Sequence, residues 1–540
     1  MRRFIQEQYI QLSFLTLVTL GLLVKSLDIG FVGDDLNHID DAAQSLTDWG
    51  FHYFRFLAIL SILIDKAIWG YHHLGYHLTN LVMHLINVFL VYILAGKFLK
   101  NRTFAFWSAL LFALHPIHSS SVFWISGRVD ILSTVFYLLS FIIFIRYADS
   151  NNIKHLLLSC AMFLAALFSK EMALSLPFVL TTHLLVYDSN EKQSRWRNVF
   201  QKTWPYWLIG ILFICFRLAF AGLAGVTGNI HSNIAPLHLL KNLATFAGLL
   251  VVPGGHIEIA NYLKSNVEVF TALAAAFLLV LLFSLRWIQK QKHLWFFTLF
   301  LLLSLLPVIR LAMRWYLYLP SVAFCLVLAY CIFKAIEKNG AIKKFGLVSG
   351  ALLAITYAYF LNVDLNRWLK SGHLSSAVSS QIAQKISIDK IQKCLILSVP
   401  GEFEETPVLI HGLESLVNYR LRTDFGYDSR VEVLPASLVS IRNDPDNYLP
   451  QIEKTGAGQY KLILSESDSY FVFPERLDII SGKEVFAPDY KTENPSFSVR
   501  VTEINRFGMP AVISVELLDS TQTVYQLTPS GLEQVQNVID

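Results

Sequence analysis

Gly75–Phe98 reads GYHLTNLVMHLINVFLVYILAGKF, and Lys97 is its only charged residue. A bilayer's hydrocarbon core is about 30 Å thick and asks a helix for about 20 predominantly apolar residues. The stretch meets that demand and is far too long for a strand, so it predicts a membrane-crossing helix. Runs of the same kind recur on both sides of it: Tyr9–Leu27, Thr103–Leu114, Asp130–Tyr147, Ile153–Ser169, Met172–Tyr187, Trp204–Ala224, Glu268–Arg286, Leu294–Ile309, Tyr316–Lys334 and Phe345–Val363. The first follows Arg2 and Arg3 but lacks a small-residue cleavage site, so it reads as an uncleaved helix. The segment Asp28–Leu74 is more polar and interrupts the pattern.

The whole chain agrees. Of 540 residues 54% are apolar and only 16% charged, with mean hydropathy +0.48. Soluble chains run nearer a quarter charged. An aromatic content of 14% excludes a disordered chain. Charge is also divided: residues 1–364 carry a net +11, and Leu365–Asp540 a net −7. The positive excess lies in short loops between apolar runs, which points to membrane orientation and not to nucleic acid.

Arg2/Arg3, Lys97/Lys100/Arg102, Arg146/Lys154, Lys192/Arg195/Arg197/Lys202, Arg286/Lys290/Lys292 and Lys334/Lys338/Lys343/Lys344 mark cytoplasmic loops. Eleven spans follow, with the N-terminus inside and the C-terminus outside. Gly225–Val267, with Pro236, Pro253, Gly254 and Gly255, then reads as an external loop holding a re-entrant or surface-lying helix. A true span there would make twelve and move the tail to the cytoplasm.

The expected architecture is a polytopic α-helical membrane domain, 1–364, followed by an extracytoplasmic α/β domain, 365–540. In the tail, Lys393–Val399, Tyr460–Leu464, Ser496–Glu503 and Ala511–Leu518 read as strands and Pro407–Leu421 as a helix. Thr521–Leu527 reads as a hairpin partner of Ala511–Leu518. Four of the five cysteines lie in apolar runs, so Cys394 has no disulfide partner within the tail.

Candidate chemistry gathers at the predicted outer ends of the spans. Asp34-Asp35 follows the first span. A carboxylate there can take the proton that an attacking hydroxyl loses, while a polar juxtamembrane turn explains the same residues. His115 and His118 close the third span and either cap it or bind a ligand. Arg128, at the start of the fourth, is an outer cation against the positive-inside trend, fit for a lipid phosphate or for snorkelling. Lys170-Glu171 is an ionisable pair between two runs. Arg310 and Arg314 precede Tyr316 and Tyr318, which also suit an interfacial belt. Asp34, Asp35, His115, His118 and Glu171 include metal-ligand types, but no spacing demands an ion, so a divalent metal stays open and no cofactor is assigned.

Phe31-Val-Gly-Asp-Asp35, Phe54-Arg-Phe-Leu57 with Arg55, Gly75-Tyr-His-Leu-Thr-Asn80 with His77 and His84, Phe112-Ala-Leu-His-Pro-Ile-His118, Gly127-Arg-Val-Asp130, Lys170-Glu171 and Tyr316-Leu-Tyr-Leu-Pro-Ser321 occur in that order. Over about residues 25–370 the series resembles the C-type (GT-C) glycosyltransferases, especially the transmembrane and tetratricopeptide-repeat O-mannosyltransferases and their bacterial relatives. The resemblance implies a sugar taken from a polyprenyl or dolichyl phosphate and moved to an extracytoplasmic glycan, lipid or protein by a single inverting displacement. It puts catalysis on Asp34 and Asp35, with Asp35 slightly favoured as base. The departing phosphate falls to Arg128, Lys170 and Arg314, an electrostatic task.

Two departures stand out. Arg314-Trp315 replaces the Glu-Arg that often precedes Tyr-Leu-Tyr-Leu-Pro, and an α/β tail replaces the repeats. The tail also lacks an Asn-x-Ser/Thr sequon, which leans towards a bacterial inner membrane. Competing readings are a polymerase or ligase using a diphosphate-linked donor, and a non-catalytic carrier of lipid-linked sugars. A carrier predicts charges near mid-span and related halves, whereas these ionisable residues cluster at outer ends.

Overall fold

A computed structural model describes residues 2–47, 55–187, 192–227, 236–252, 291–427, 429–442, 449–464, 469–472, 490–505, 509–518 and 523–535. The expected span Glu268–Arg286, Phe54, Pro253, Gly254, Gly255 and the basic residues Arg286 and Lys290 lie outside them. The chain divides into two units. The first comprises Met1–Leu27 and Ala42–Leu365; the second comprises Asp28–Asp41 and Asn366–Asp540.

The first unit is helical. Among the described residues six helices are long and apolar enough to cross a membrane: Gln6–Asp28, His73–Leu99, Arg128–Ser150, Arg195–Ala219, Arg314–Ile336 and Ala341–Asp389. Shorter apolar helices are Arg102–Leu114, Ile153–Ser169, Glu171–Tyr187, His238–Val251 and Lys292–Val308. The chain is thus a polytopic α-helical membrane protein with a strand-rich C-terminal part. Helix Pro236–Val251 falls within the expected loop Gly225–Val267. The segment read as merely polar, Asp28–Leu74, proves to hold the helix Phe56–Trp69, with Ala58, Ile62 and Asp65 buried. Its 14 residues are too few to register as a span.

Lipid offers little hydrophobic reason for helices to associate, so packing and interhelical hydrogen bonds must do it. Ser140 Oγ donates to the Ser159 carbonyl at 2.7 Å, and Tyr206 donates to Ser159 Oγ at 2.7 Å. Phe98 packs against Phe296 and Phe297 with ring centres 5.3 and 5.2 Å apart, and Tyr137 stacks on Phe300.

Among the described residues the second unit holds three sheets. The first runs β13(Gly531–Gln534)-β12(Val524–Thr528)-β1(Lys393–Ile396)-β4(Glu432–Pro435). Here β1 pairs parallel with both neighbours, Leu395 facing Leu434 and Val524. A parallel step needs a crossover, and helix Leu413–Phe425 lies on the path from β1 to β4. The second sheet runs β3(Thr406–Pro407)-β2(Val399–Phe403)-β5(Leu438–Ile441)-β8(Tyr470–Val472). The third, antiparallel, runs β6(Gln451–Gly456)-β7(Gln459–Ile463)-β11(Pro510–Leu517)-β10(Phe497–Ile504)-β9(Lys491–Glu493).

Two local expectations need correction. Strand β12 pairs with β1 and β13, not with β11 as a hairpin, because Val524, Tyr525 and Leu527 bury into the parallel sheet. The helix begins at Leu413, not Pro407. Val408, Leu409 and Ile410 all aim N–H groups at the Gly401 carbonyl, and His411 turns at φ 60°. Cys394 is buried in β1, which pushes its thiol pKa up to about 12.

Candidate active site

The acidic turn belongs to the second unit. Gly33 sits at φ 52°, a conformation that favours glycine. Its N–H donates to the Val408 carbonyl at 3.0 Å. The turn then enters a short helix, Asp35–Asp40, which buries Leu36 and Ile39. Asp35 is 0% exposed, and its Oδ2 accepts the Val32 N–H at 3.0 Å. Asp34 differs. Its side chain is 27% exposed, and Oδ2 accepts from His38 Nε2 at 3.2 Å. His411 is the other imidazole that feels Asp34. Burial lowers its pKa, and the Asp34 charge opposes that shift. Of the two carboxylates, then, Asp34 meets solvent and Asp35 closes the turn.

A second ionic group lies in the first unit. Lys170 Nζ is 2.6 Å from Asp130 Oδ1, both buried, and 4.7 Å from the centre of the Tyr316 ring. Arg55 Nη2 donates to Glu171 Oε1 at 3.1 Å, and Arg217 Nη1 stands 3.9 Å from Glu171 Oε2. Arg55 and Glu171 keep 24% and 22% of their side-chain surfaces exposed, and Arg217 keeps 8%. Asp130 and Tyr316 also act electrostatically on Arg55. Three cations and two carboxylates thus form one cluster, with Tyr316 beside Lys170 and the Arg55–Glu171 end partly open.

Arg128 has a different setting. It is fully buried. Its Nε donates to Asn80 Oδ1 at 2.9 Å, Nη1 to the Ser61 carbonyl at 3.2 Å and Nη2 to the Tyr76 carbonyl at 3.0 Å. Asp65 Oδ2 lies 2.6 Å from Nη2, while Asp65 Oδ1 accepts from Thr79 at 2.8 Å. Arg314 donates to Asp364, which also accepts from Ser119 at 2.9 Å, and to the Pro116 carbonyl at 2.8 Å.

Three of the histidines are tied by hydrogen bonds to carbonyls and hydroxyls. His115 Nε2 donates to the Leu250 carbonyl at 3.2 Å, while Nδ1 accepts the Ile117 N–H. His84 Nε2 donates to the Ala113 carbonyl, leaving Nδ1 to accept from Tyr318 at 2.7 Å; Tyr318 accepts in turn from Asn87. His118 Nε2 donates to Ser321 at 2.8 Å. His77 is buried in helix His73–Leu99. Among the described residues no three His, Cys, Asp or Glu side chains gather as a metal site.

The structure therefore brings Arg55, Lys170, Glu171 and Tyr316 together and sets Arg128, Arg314 and the histidines in other surroundings. Sequence reading missed Arg217, Asp65 and Asp364. Arg217 lies inside an apolar helix and carried the only signal of the three, since a charge there is costly unless it serves a purpose.

Residues 57–220 match the family described as dolichyl-phosphate-mannose-protein mannosyltransferase. Protein O-mannosyl-transferase Tmtc1 of Drosophila melanogaster is 32% identical over 173 residues, 28% of this chain and 20% of that protein. Tmtc2 of the same fly is 31% identical over 180 residues, 28% of this chain and 19% of that protein. Human TMTC1 is 35% identical over 99 residues, 18% of this chain and 11% of that protein. The chain spans a fifth or less of the length of these relatives. Among solved structures, ArnT from Cupriavidus metallidurans bound to undecaprenyl phosphate aligns with TM-score 0.47 at 11% identity, covering 80% of this chain and 92% of that one. The oligosaccharyltransferase of Archaeoglobus fulgidus gives 0.42 at 10% identity, covering 79% and 64%. Residues 57–220 of this chain are accordingly similar to dolichyl-phosphate-mannose-protein mannosyltransferases and to the Tmtc protein O-mannosyl-transferases.

Proposed function

We propose that the chain is an integral-membrane glycosyltransferase that moves a sugar from a polyprenyl-phosphate donor to an extracytoplasmic acceptor by one inverting displacement. One observation carries the reading. Asp130, Lys170, Glu171 and Arg217 all fall inside the family-matched residues and assemble there into one ionic cluster.

The chemistry assigns the roles. An acceptor hydroxyl gives its proton to a carboxylate as its oxygen attacks the anomeric carbon. The bond from that carbon to the phosphate oxygen breaks, and its electron pair stays with the lipid phosphate, which gains a negative charge. Asp34, the more accessible acid, is the proton acceptor in this reading, and Asp35 holds the turn. Arg55, Arg217 and Lys170 supply fixed positive charge for the leaving phosphate. Arg128, saturated by Asn80, Ser61, Tyr76 and Asp65, is a strut. Arg314 holds Asp364 and the Pro116 carbonyl, a second strut. The distribution of basic loops supports an outer location for the acidic turn and the tail. A bacterial inner membrane fits the tail.

The test is sugar transfer by the purified protein in nanodiscs. Radiolabelled polyprenyl-phosphate sugars, mannose first, are offered with membrane lipids, glycans and proteins, with and without chelator. Transfer to one acceptor class that is lost in Asp34→Asn supports the reading. Saturable donor binding without transfer to any acceptor favours a carrier instead, and transfer from diphosphate-linked donors alone favours a polymerase or ligase.

A further inference from the structure

The acidic turn Asp28–Asp41 is far in sequence from the rest of the unit that contains it. Five of its attachments run to residues 375–422. Gly33 N–H donates to the Val408 carbonyl at 3.0 Å. Asn37 Nδ2 donates to the His411 carbonyl at 2.6 Å. Ser375 Oγ donates to the Phe31 carbonyl at 2.9 Å, and the Phe31 ring meets Tyr419 edge-on at 5.8 Å. Arg422 pairs with Asp40 at 3.3 Å. The tightest approach is at Gly412, where a Cβ would fall 1.6 Å from the Gly33 carbonyl oxygen. That oxygen is backbone and cannot rotate away, so any side chain at 412 must displace the residue immediately before Asp34.

We propose that the C-terminal unit is a positioning element for the acidic pair, with Gly412, Asn37 and the His411 carbonyl setting where Asp34 stands. This rests on the reading of Asp34 as proton acceptor. It assigns the tail a task that neither binding of an acceptor nor binding of a partner requires. The short helix Asp35–Asp40 is only six residues long. It gains its order from the tail's contacts, since a helix of that length is marginal alone.

Two variants of the full chain in nanodiscs test it, Gly412→Ala and the milder Asn37→Ala. Gly412 has φ −131°, which alanine adopts freely, so the variant probes the close approach alone. Amide hydrogen exchange over residues 29–41 is read first, and transfer from polyprenyl-phosphate mannose second. The expected result is faster exchange confined to the acidic turn. The turnover rate then falls on the order of a hundredfold at unchanged donor KM, the penalty of a misplaced reacting group. Unchanged protection in both variants overturns the proposal, as does lost protection with full turnover. If Gly412→Ala fails to fold, Asn37→Ala is decided by the same two readouts. Asp34→Asn separates the two ideas: if it keeps full transfer, the base assignment fails, while exchange still judges whether the tail holds the turn.

Discussion

Lys170 and Asp130 form an ion pair of 2.6 Å with both side chains almost wholly out of solvent. Removing one partner of such a pair leaves a charge buried without compensation, at a cost of about 3–5 kcal/mol. Lys170→Met alone should therefore destabilise the protein by about that amount. Lys170→Met with Asp130→Leu should recover most of it but stay inactive. Thermal unfolding in detergent, beside the transfer assay, checks both halves.

Arg128 should behave as a strut. Arg128→Lys retains the charge but cannot span Asn80, Ser61, Tyr76 and Asp65 from one ammonium. We expect a loss of about 3 kcal/mol in stability, while the correctly folded fraction binds donor lipid with wild-type affinity. Weakened binding in that fraction would return Arg128 to the phosphate.

Arg217→Gln and Arg55→Gln should each lower the turnover rate about 100-fold, as loss of one preorganised donor does elsewhere. Stability should change far less in Arg55→Gln than in Arg128→Lys, because the Arg55–Glu171 end is partly open to solvent, whereas Arg217, 8% exposed, should cost more on replacement. Steady-state kinetics with polyprenyl-phosphate mannose and melting curves separate the two effects.

The two acids should differ in kind. Asp34→Asn should abolish transfer and leave the fold intact. Asp35→Ala should strand the buried Val32 N–H, at about 1–3 kcal/mol, and lose activity through the turn. Hydrogen exchange at Val32 and donor binding by both variants provide the readout.

His411 gives the second unit a pH dependence. Burial lowers its pKa below the ordinary value of about 6.5, with Asp34 opposing. Above that pH the imidazole is neutral in both states and the unit has its full stability. As pH falls through it, the unfolded chain takes the proton first and stability drops, until folded His411 is protonated too. Melting curves from pH 8 to 5 should show this fall, and His411→Gln should flatten it.

The helical and strand-rich parts were legible because apolar runs such as Gly75–Phe98 carry their own length signal. Helix Phe56–Trp69 was not, being short and interrupted by Asp65 and Lys66. Lys170 and Glu171 stood out as an ionisable pair between two apolar runs, and Arg55 through the family-like stretch Phe54–Leu57. Arg217, the partner of Glu171, carried only its charge within an apolar run as a signal, because its pairing crosses between helices and leaves no periodicity. The bonds of Asn37 to His411 and of β12 to β1 were equally hidden, since each joins segments that no local pattern connects.

Asn37 and its acceptor, the His411 carbonyl, are separated by 374 residues. At about 5–20 residues per second, a ribosome finishes Asn37 roughly 20–75 s before it reaches His411. Throughout that interval the acidic turn has emerged without the backbone that fixes it. A nascent chain, or one truncated before the tail, would hold its acids unlocked. Competence for the reaction would then arrive late in synthesis, as one of the last steps of maturation.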